Sequence, residues 1–254
     1  MKKKVAVLGA TGSIGKSTLD IIRKEKDRFE PVLFSANRNC EELICLKKEF
    51  PGAIAALAAE EYTAAPDMPG GIGFYGKQGL LNAIAVCGAD IAVNGISGAA
   101  GLEPSAAVLK SGADLALANK ETIVMAGSII FALAREKKLN IIPVDSEHYA
   151  VFRLIEAHGM DKVSEIILTA SGGPFRNHSI EQLKEASVAG ALAHPTWNMG
   201  PKITIDSATM ANKGLEIIEA AGLFGFPPEK ISVTVHPQSV VHSMIRLKDG
   251  AVYA

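Results

Sequence analysis

The segment Asp145-Ser-Glu147 sets two carboxylates and a hydroxyl within three residues, hard oxygen donors that suit a divalent cation once a third ligand arrives from elsewhere. Glu216, in Asn212-Lys-Gly-Leu-Glu216, is the candidate third ligand, because Asn212 and Glu216 are four apart and share a face if that segment is helical. A plainer reading stands beside it: Asp and Ser also cap helices, and the residues after Glu147 have a helical pattern. A second chemistry lies at the start of the chain, where Val5-Ala-Val-Leu-Gly-Ala-Thr-Gly-Ser-Ile-Gly15 spaces glycines at 9, 12 and 15. Glycine permits a tight strand-to-helix turn and close backbone approach, and the helix start attracts a phosphate through its N–H groups and dipole. The spacing has one residue more than strict GxGxxG, and an ordinary strand-to-helix turn is the alternative.

Where a dinucleotide site would place an acid for a ribose hydroxyl, the sequence reads Ser35-Ala-Asn-Arg-Asn39, with no acid until Glu41. Arg38 between two amides favours a 2′-phosphate, hence NADP over NAD, against the alternative of a solvated loop arginine. Further along, Ser171-Gly-Gly-Pro-Phe-Arg176, Ser207, Asn212 and Lys213 offer hydroxyl, amide and ammonium donors that suit a phosphate monoester. Each of these taken singly also reads as a cap or a solvated side chain. His194-Pro-Thr-Trp-Asn-Met-Gly200 carries the single tryptophan, Trp197, either a core anchor or part of a lid that excludes water. The other histidines, His148, His158, His178, His236 and His242, are assigned to structure because their spacing forms no clear metal pattern.

These groups need elements to position them. Short apolar runs at Val5–Leu8, Val32–Ser35, Ile54–Ala56, Ile91–Asn94, Leu115–Ala118 and Ile141–Val144 read as strands. Helical segments at Lys16–Lys24, Glu41–Glu49, Gly79–Val86, Glu103–Lys110 and Glu121–Lys137 alternate with them, as in an α/β fold around a parallel sheet. Beyond Asp145 the expectation is a helix at Glu147–His158, a strand at Glu165–Thr169 and an aperiodic stretch Ser171–Lys202. A short strand Ile203–Asp206, a helix Ala208–Ala221 and strands Ser232–Val235, Met244–Leu247 and Ala251–Ala254 are expected to follow. The boundary between two domains falls near Val144–Ser146, giving 1–145 and 146–254, and the Ala-rich stretch Ala53–Ala65 is the only biased segment.

The 254 residues allow one large domain or two modest ones. Twenty-six Lys plus Arg against 27 Asp plus Glu leaves a net charge of −1, so no global basic field draws nucleic acid or anionic lipid. Phosphate recognition must therefore be local. No run of ~20 apolar residues is present to span a membrane. Met1-Lys-Lys-Lys4 imitates the start of a signal peptide, but Gly9, Gly12 and Gly15 break the apolar stretch behind it. Cys40, Cys45 and Cys87 lack metal or CxxC spacing and read as buried or partly buried reduced thiols, which favours a cytoplasmic setting.

Taken together and in order, Gly9-Ala-Thr-Gly-Ser-Ile-Gly15, Ala118-Asn-Lys-Glu121, Val144-Asp-Ser-Glu-His148, Ser171-Gly-Gly-Pro-Phe-Arg176, His194-Pro-x-Trp-x-Met-Gly200, Asp206-Ser-Ala-Thr-Met210, Asn212-Lys-Gly-Leu-Glu216 and Val235-His-Pro-Gln-Ser239 resemble the 1-deoxy-D-xylulose 5-phosphate reductoisomerase family. The resemblance covers essentially the whole chain. It implies a Rossmann-like NADPH-binding domain followed by an α/β catalytic domain, with family members continuing into a C-terminal helical domain beyond the last strand here. It implies a metal-dependent enzyme that turns 1-deoxy-D-xylulose 5-phosphate into 2-C-methyl-D-erythritol 4-phosphate on the route to isoprenoids. The implied partners are this phosphorylated sugar and a second copy in a homodimer, with no nucleic acid or membrane.

By the same resemblance Thr11, Gly12, Ser13 and Ile14 would line the NADPH pyrophosphate, and Asn37, Arg38 and Asn39 would meet its 2′-phosphate end. Asn119, Glu121 and Gly200 would complete the cofactor site. Asp145, Glu147 and Glu216 would bind Mg²⁺, Mn²⁺ or Co²⁺. Lys120 and Ser146, with Glu147 and Glu216, would face the substrate's oxygenated carbons, Lys120 also serving in charge stabilisation or proton transfer. Ser171, His194, Ser207, Asn212 and Lys213 would hold its phosphate, and residues 194–200 would form a lid with Trp197 over the substrate. Two other readings remain: a different Rossmann-type NADP enzyme on a phosphorylated or semialdehyde substrate, and an incomplete family member that binds NADPH with weak or no turnover.

Overall fold

A computed structural model of the chain describes residues 1–62, 71–197 and 200–254. They form two compact units, Met1–Ile142 and Pro143–Ala254. Unit 1 alternates strand and helix: β1 Lys3–Leu8, α1 Ser13–Lys24, β2 Phe29–Ala36, α2 Cys40–Glu49, β3 Ile54–Leu57, β4 Phe74–Tyr75, α3 Gly76–Val86, β5 Ile91–Asn94, α4 Leu102–Ser111, β6 Asp114–Leu117, α5 Lys120–Lys137 and β7 Ile141–Pro143. The strands lie in the order β4-β3-β2-β1-β5-β6-β7, and each pairing from β4 to β6 is parallel.

Strand β1 shows why the sheet is covered on both faces. Ala6 and Leu8 pack with Leu80, Ile84, Val108, Leu109, Ile123 and Ile130 from α3, α4 and α5. Val5 and Val7 point the other way, toward Leu19, Ile22, Leu43 and Leu46 of α1 and α2. A strand segment buried on both faces must be apolar throughout, so after the exposed Lys3 and Lys4 the buried Val5–Leu8 reads as a continuous run rather than an alternation. The strand order reverses between β1 and β5, and the crevice beyond their carboxyl ends is where such sheets bind ligands.

Unit 2 comprises α6 Ser146–His158, β8 Val163–Ala170, α7 Ile180–Lys184, α8 Val188–Leu192, α9 Pro201–Ala208, α10 Ala211–Phe224, β9 Ile231–Val235, β10 Ser243–Leu247 and β11 Val252–Tyr253. Its sheet runs β11-β10-β8-β9, with β8 antiparallel to β10 and parallel to β9. Val151 from α6 and Ala220 from α10 pack onto Ile166, Leu168, Ile231 and Ile245 to form a separate core.

Several expectations are corrected here. Ile203–Asp206 is not a strand but the middle of α9. Its β-branched residues suggest a strand, yet Pro201 presets the first helical turn. Lys202 also pairs with Asp206 one turn on at 2.6 Å, and the Thr204 hydroxyl donates to the Gly200 carbonyl at 2.9 Å. The aperiodic stretch contains two short helices, α7 and α8, started by Ser179 and Ser187; Ser179 forms a capping box with Gln182. Helix α10 sits three residues later than expected, bracketed by Met210 and Gly225, both left-handed. Cys40 and Cys87 are half-buried, but Cys45 is exposed rather than buried. The end of the Ala-rich stretch, residues 63–65, lies outside the described residues.

Among the described glycines the closest approach is at the glycine turn. A Cβ on Gly15 would meet the Gly9 carbonyl oxygen at 2.4 Å and the Ala10 Cα at 2.5 Å, both backbone. Gly15→Ala should therefore destabilise the protein by about 1–3 kcal/mol through overpacking, read by urea unfolding. Gly52→Ala, where a Cβ meets nothing within 4 Å, should stay within about 0.5 kcal/mol.

Candidate functional site

In unit 1 the turn after β1 builds a cradle from backbone. Gly9 holds φ at +78°, and a Cβ there would meet the Gly95 carbonyl at 3.1 Å, so only glycine fits between the ends of β1 and β5. The Gly9 amide donates to the Ser35 hydroxyl at 3.1 Å, and the Ala10 amide to the Ser35 carbonyl at 2.7 Å. Helix α1 then begins at Ser13 behind Gly12, with no side chain capping its amides. Gly12 and Ser13 are exposed, and Thr11 and Ile14 half-buried. A glycine turn feeding an uncapped helix start can receive an anion.

The end of β2 carries Asn37, Arg38 and Asn39, all exposed. Asn39 caps α2, accepting from the Glu42 amide at 3.2 Å and donating to the Glu42 carboxylate at 2.8 Å. Arg38 meets an acid that its sequence neighbourhood does not reveal: its Nε donates to Glu61 Oε1 at 3.0 Å.

Asn119, Lys120 and Glu121 start α5. The buried Asn119 amide donates to the carbonyls of Ile96 and Gly98 at 2.7 and 2.8 Å and to Glu121 at 3.1 Å. Its oxygen accepts from the Thr122 amide and hydroxyl at 2.8 and 2.5 Å. Asn119 thus ties the loop after β5 to the start of α5. Lys120 is 6% exposed, unusual for a lysine.

In unit 2, Asp145, Glu147 and Glu216 offer ligand oxygens that all lie within 4.8 Å of one another. Asp145 is also the cap of α6, accepting from the amides of Glu147 and His148 at 3.1 and 3.4 Å, so one residue both caps the helix and belongs to the carboxylate cluster. Ser146 donates to Glu147 at 2.8 Å. On Glu216, Asn212 donates to Oε1 at 2.5 Å and the buried Lys213 ammonium pairs with Oε2. Burial, then the charges of Asp145 and Glu216, push the Glu147 carboxyl up to about 7, against the opposing effects of Lys213 and Ser146.

Two residues assigned to structure belong to this cluster. His148 is fully buried, and its Nε2 lies 3.0 Å from the Glu216 backbone carbonyl, which can only accept, so Nε2 carries the proton. Its Nδ1 faces Asp145 at 3.6 Å and Glu219 at 3.8 Å. His148 thereby bridges α6 and α10; the signal that could have found it is its place three residues after Asp145, on the same helix face. His242 Nδ1 lies 3.6 Å from Glu147 and its ring 6.2 Å from Trp197, a proximity that no spacing announces.

Ser171 Oγ lies 3.0 Å from His194 Nε2. His194 Nδ1 accepts from the amides of Thr196 and Trp197 at 3.1 and 2.9 Å, so Nε2 bears the proton and donates to Ser171. Burial and then the Arg176 charge lower the His194 pKa, favouring this neutral form. Gly173, at φ +67°, packs so closely on the end of α9 that a Cβ would meet the Ser207 carbonyl at 2.7 Å. The Ser171 loop and Ser207 are thereby brought together. Gly200 caps α9. Trp197 is 43% exposed and not anchored in a core; of the expected lid, residues 198–199 lie outside the described residues.

Comparison with known proteins gives a consistent result. A family model described as 1-deoxy-D-xylulose 5-phosphate reductoisomerase matches residues 5–127, and one for the C-terminal domain of the same family matches residues 141–224. The chain is 50% identical to the 1-deoxy-D-xylulose 5-phosphate reductoisomerase of Treponema denticola over 100% of its length and 65% of the relative's. It is 49% identical to that of Geotalea uraniireducens, over 99% of this chain and 66% of the relative. The chain thus spans about 65% of the length of these relatives. A crystal structure of DOX-P reductoisomerase in complex with NADPH, fosmidomycin and magnesium superposes with a TM-score of 0.89 at 39% identity, over 98% of this chain and 65% of that one. The Zymomonas mobilis enzyme in complex with NADPH gives 0.89 at 41% identity, over 100% and 66%.

The carboxylate cluster has a pH signature. Glu147 holds its proton up to about 7 in the folded chain against an ordinary value of 4.5. Between those values the folded state binds more protons than the unfolded one, so stability falls as pH rises. The unfolding midpoint of EDTA-treated protein should drop from about pH 5 to about pH 7.5, and Glu147→Gln should flatten that slope. An unchanged slope in the variant assigns the titration elsewhere.

Proposed function

The chain belongs to the 1-deoxy-D-xylulose 5-phosphate reductoisomerase family, and from that membership we propose that it converts 1-deoxy-D-xylulose 5-phosphate to 2-C-methyl-D-erythritol 4-phosphate. The observation that carries the reading is the cluster of Asp145, Glu147 and Glu216, three oxygen donors within 4.8 Å. Like charges held this close, with one proton pushed up to about 7, form a donor set that a small hard cation completes.

Those three residues would hold Mg²⁺, Mn²⁺ or Co²⁺, and NADPH would lie on the glycine turn of unit 1. When bound, the metal supplies Lewis-acid stabilisation of oxygen charge developing on the substrate, and NADPH supplies the hydride. The chain's own residues do the rest. Ser146 would donate to a substrate oxygen, and Lys120, withdrawn from water, would hold or move a proton at another. Ser171, His194, Ser207, Asn212 and Lys213 would grip the phosphate, whose binding energy can align the reacting carbons. Neutral His194, with its proton on Nε2, is a donor suited to that task. Asn212 and Lys213 bond Glu216, so the two donors assigned to the phosphate lie directly beside the carboxylate that would hold the cation.

Thr11, Gly12, Ser13 and Ile14 would receive the cofactor's pyrophosphate and Asn37, Arg38 and Asn39 its 2′-phosphate, with Asn119, Glu121 and Gly200 as further contacts. This reading divides labour between a cofactor domain, 1–145, and a metal- and substrate-binding domain, 146–254. A homodimer through the second domain is part of it, supported by Val233, Val235, Val252 and Tyr253 exposed on the edge strands β9 and β11. So is a cytoplasmic setting, supported by three free thiols.

The deciding experiment adds 1-deoxy-D-xylulose 5-phosphate and Mg²⁺ to the purified chain with NADPH and follows oxidation at the nicotinamide absorbance. Turnover that EDTA abolishes is expected; NADPH binding without oxidation would favour the non-catalytic reading. Glu216→Gln should lower turnover by roughly 10²-fold or more, the scale of losing one group that stabilises developing charge, with NADPH affinity retained. NADPH should be used far better than NADH, and Arg38→Ala should narrow that preference by roughly tenfold. Equal efficiency with both cofactors in the unaltered chain would remove Arg38 from the 2′-phosphate site.

A further inference from the structure

The turn of 3₁₀ helix Glu60–Tyr62 after β3 is strapped to the end of β2 by three hydrogen bonds. The Ala58 amide donates to the Ala36 carbonyl at 2.8 Å and the Ala59 amide to the Asn37 carbonyl at 3.1 Å. The Tyr62 hydroxyl donates to the Arg38 carbonyl at 3.4 Å. On its other side, Glu60 Oε1 accepts from the Lys77 amide at 3.0 Å. The strapping fixes where Glu61 stands, and its carboxylate accepts a hydrogen bond from Arg38 Nε at 3.0 Å. An acid is therefore delivered to the arginine from 23 residues downstream.

We propose that Glu61 tunes dinucleotide selectivity, competing with a 2′-phosphate for Arg38 and favouring an unphosphorylated ribose. This deepens the reading of Arg38 given above and rests on it. At the end of the second strand, an acid accepts hydrogen bonds from a free ribose 2′-hydroxyl, whereas an arginine pairs with a 2′-phosphate. Here both groups occupy one place. A phosphate dianion arriving at Arg38 finds the Nε donor taken by the Glu61 carboxylate, so it must share the guanidinium or displace that carboxylate, and it bears the repulsion of the acid beside it. A dinucleotide with a free 2′-hydroxyl can instead donate to that carboxylate while the ion pair persists. Glu61 thus narrows the NADPH preference that Arg38 creates. Both side chains are more than half exposed, at 70% and 52%, so the pair is solvent-screened and the effect is several-fold rather than orders of magnitude.

The test measures dissociation constants of NADPH and NADH by fluorescence titration for the unaltered chain, Glu61→Gln and Arg38→Ala. Glu61→Gln should tighten NADPH by roughly three- to fivefold, leave NADH unchanged or weaker, and leave the unfolding midpoint in place. The gain should shrink as salt is raised, since exposed charges are screened. A NADPH-to-NADH ratio within about twofold of the unaltered chain in Glu61→Gln, while Arg38→Ala collapses the preference, overturns the role of Glu61 alone. A preference that survives Arg38→Ala overturns the Arg38 reading and this inference with it.

Discussion

Three carboxylates held within 4.8 Å of one another repel strongly where water is scarce, and unit 2 is organised around offsetting that repulsion. Lys213 and Asn212 take the oxygens of Glu216, Ser146 donates to Glu147, and two backbone amides bond Asp145. These partners come from within four residues of the acid they serve, so each helix carries its acid together with part of the compensation. What neither helix supplies is the residual counter-charge, and the raised Glu147 proton is its trace. His148 adds a mechanical constraint: buried between α6 and α10, it bonds the backbone of one carboxylate residue and faces another. A change in its size or polarity would alter the spacing of the whole cluster.

Unit 1 answers a different demand. A parallel sheet covered on both faces leaves its strand ends as the place where backbone groups remain open to a ligand. Glycine at 9 and 15 allows the first turn to close to within contact of its neighbours, and helix α1 starts without a capping side chain. The wall made by residues 96–98 is held by Asn119, whose single amide group serves two carbonyls at once. A buried amide with every valence used resists displacement, because breaking one bond leaves a desolvated polar group unpaired.

Local pattern carried much of this. The alternation of apolar runs and amphipathic segments revealed the α/β class, since burial of a strand or a helix face imposes a period that composition cannot hide. The helix start marked by Asp145 was legible because capping is a contact within three residues. The failures are informative. Ile203-Thr-Ile205 has a strand's composition, yet Pro201 and the Lys202–Asp206 pair lie just outside the window in which that composition dominates. The short helices after Ser179 and Ser187 bury little and so show no period.

The class of fold, the glycine turn, the Asp145 cap and the paired acids could be read along the chain, because each depends on residues a few positions apart. Which distant groups meet depends on packing: the fold brings Glu216, expected as the third oxygen donor, to Asp145 and Glu147 across about 70 residues, and it sets His242 beside Glu147 and Glu61 beside Arg38, two encounters with no local signal. Such encounters are set by how helices and strands pack. Electrostatic environment follows from the same packing, since charge and desolvation act through space rather than along the chain. An arginine that reads as unopposed in sequence thus stands in the fold beside a carboxylate.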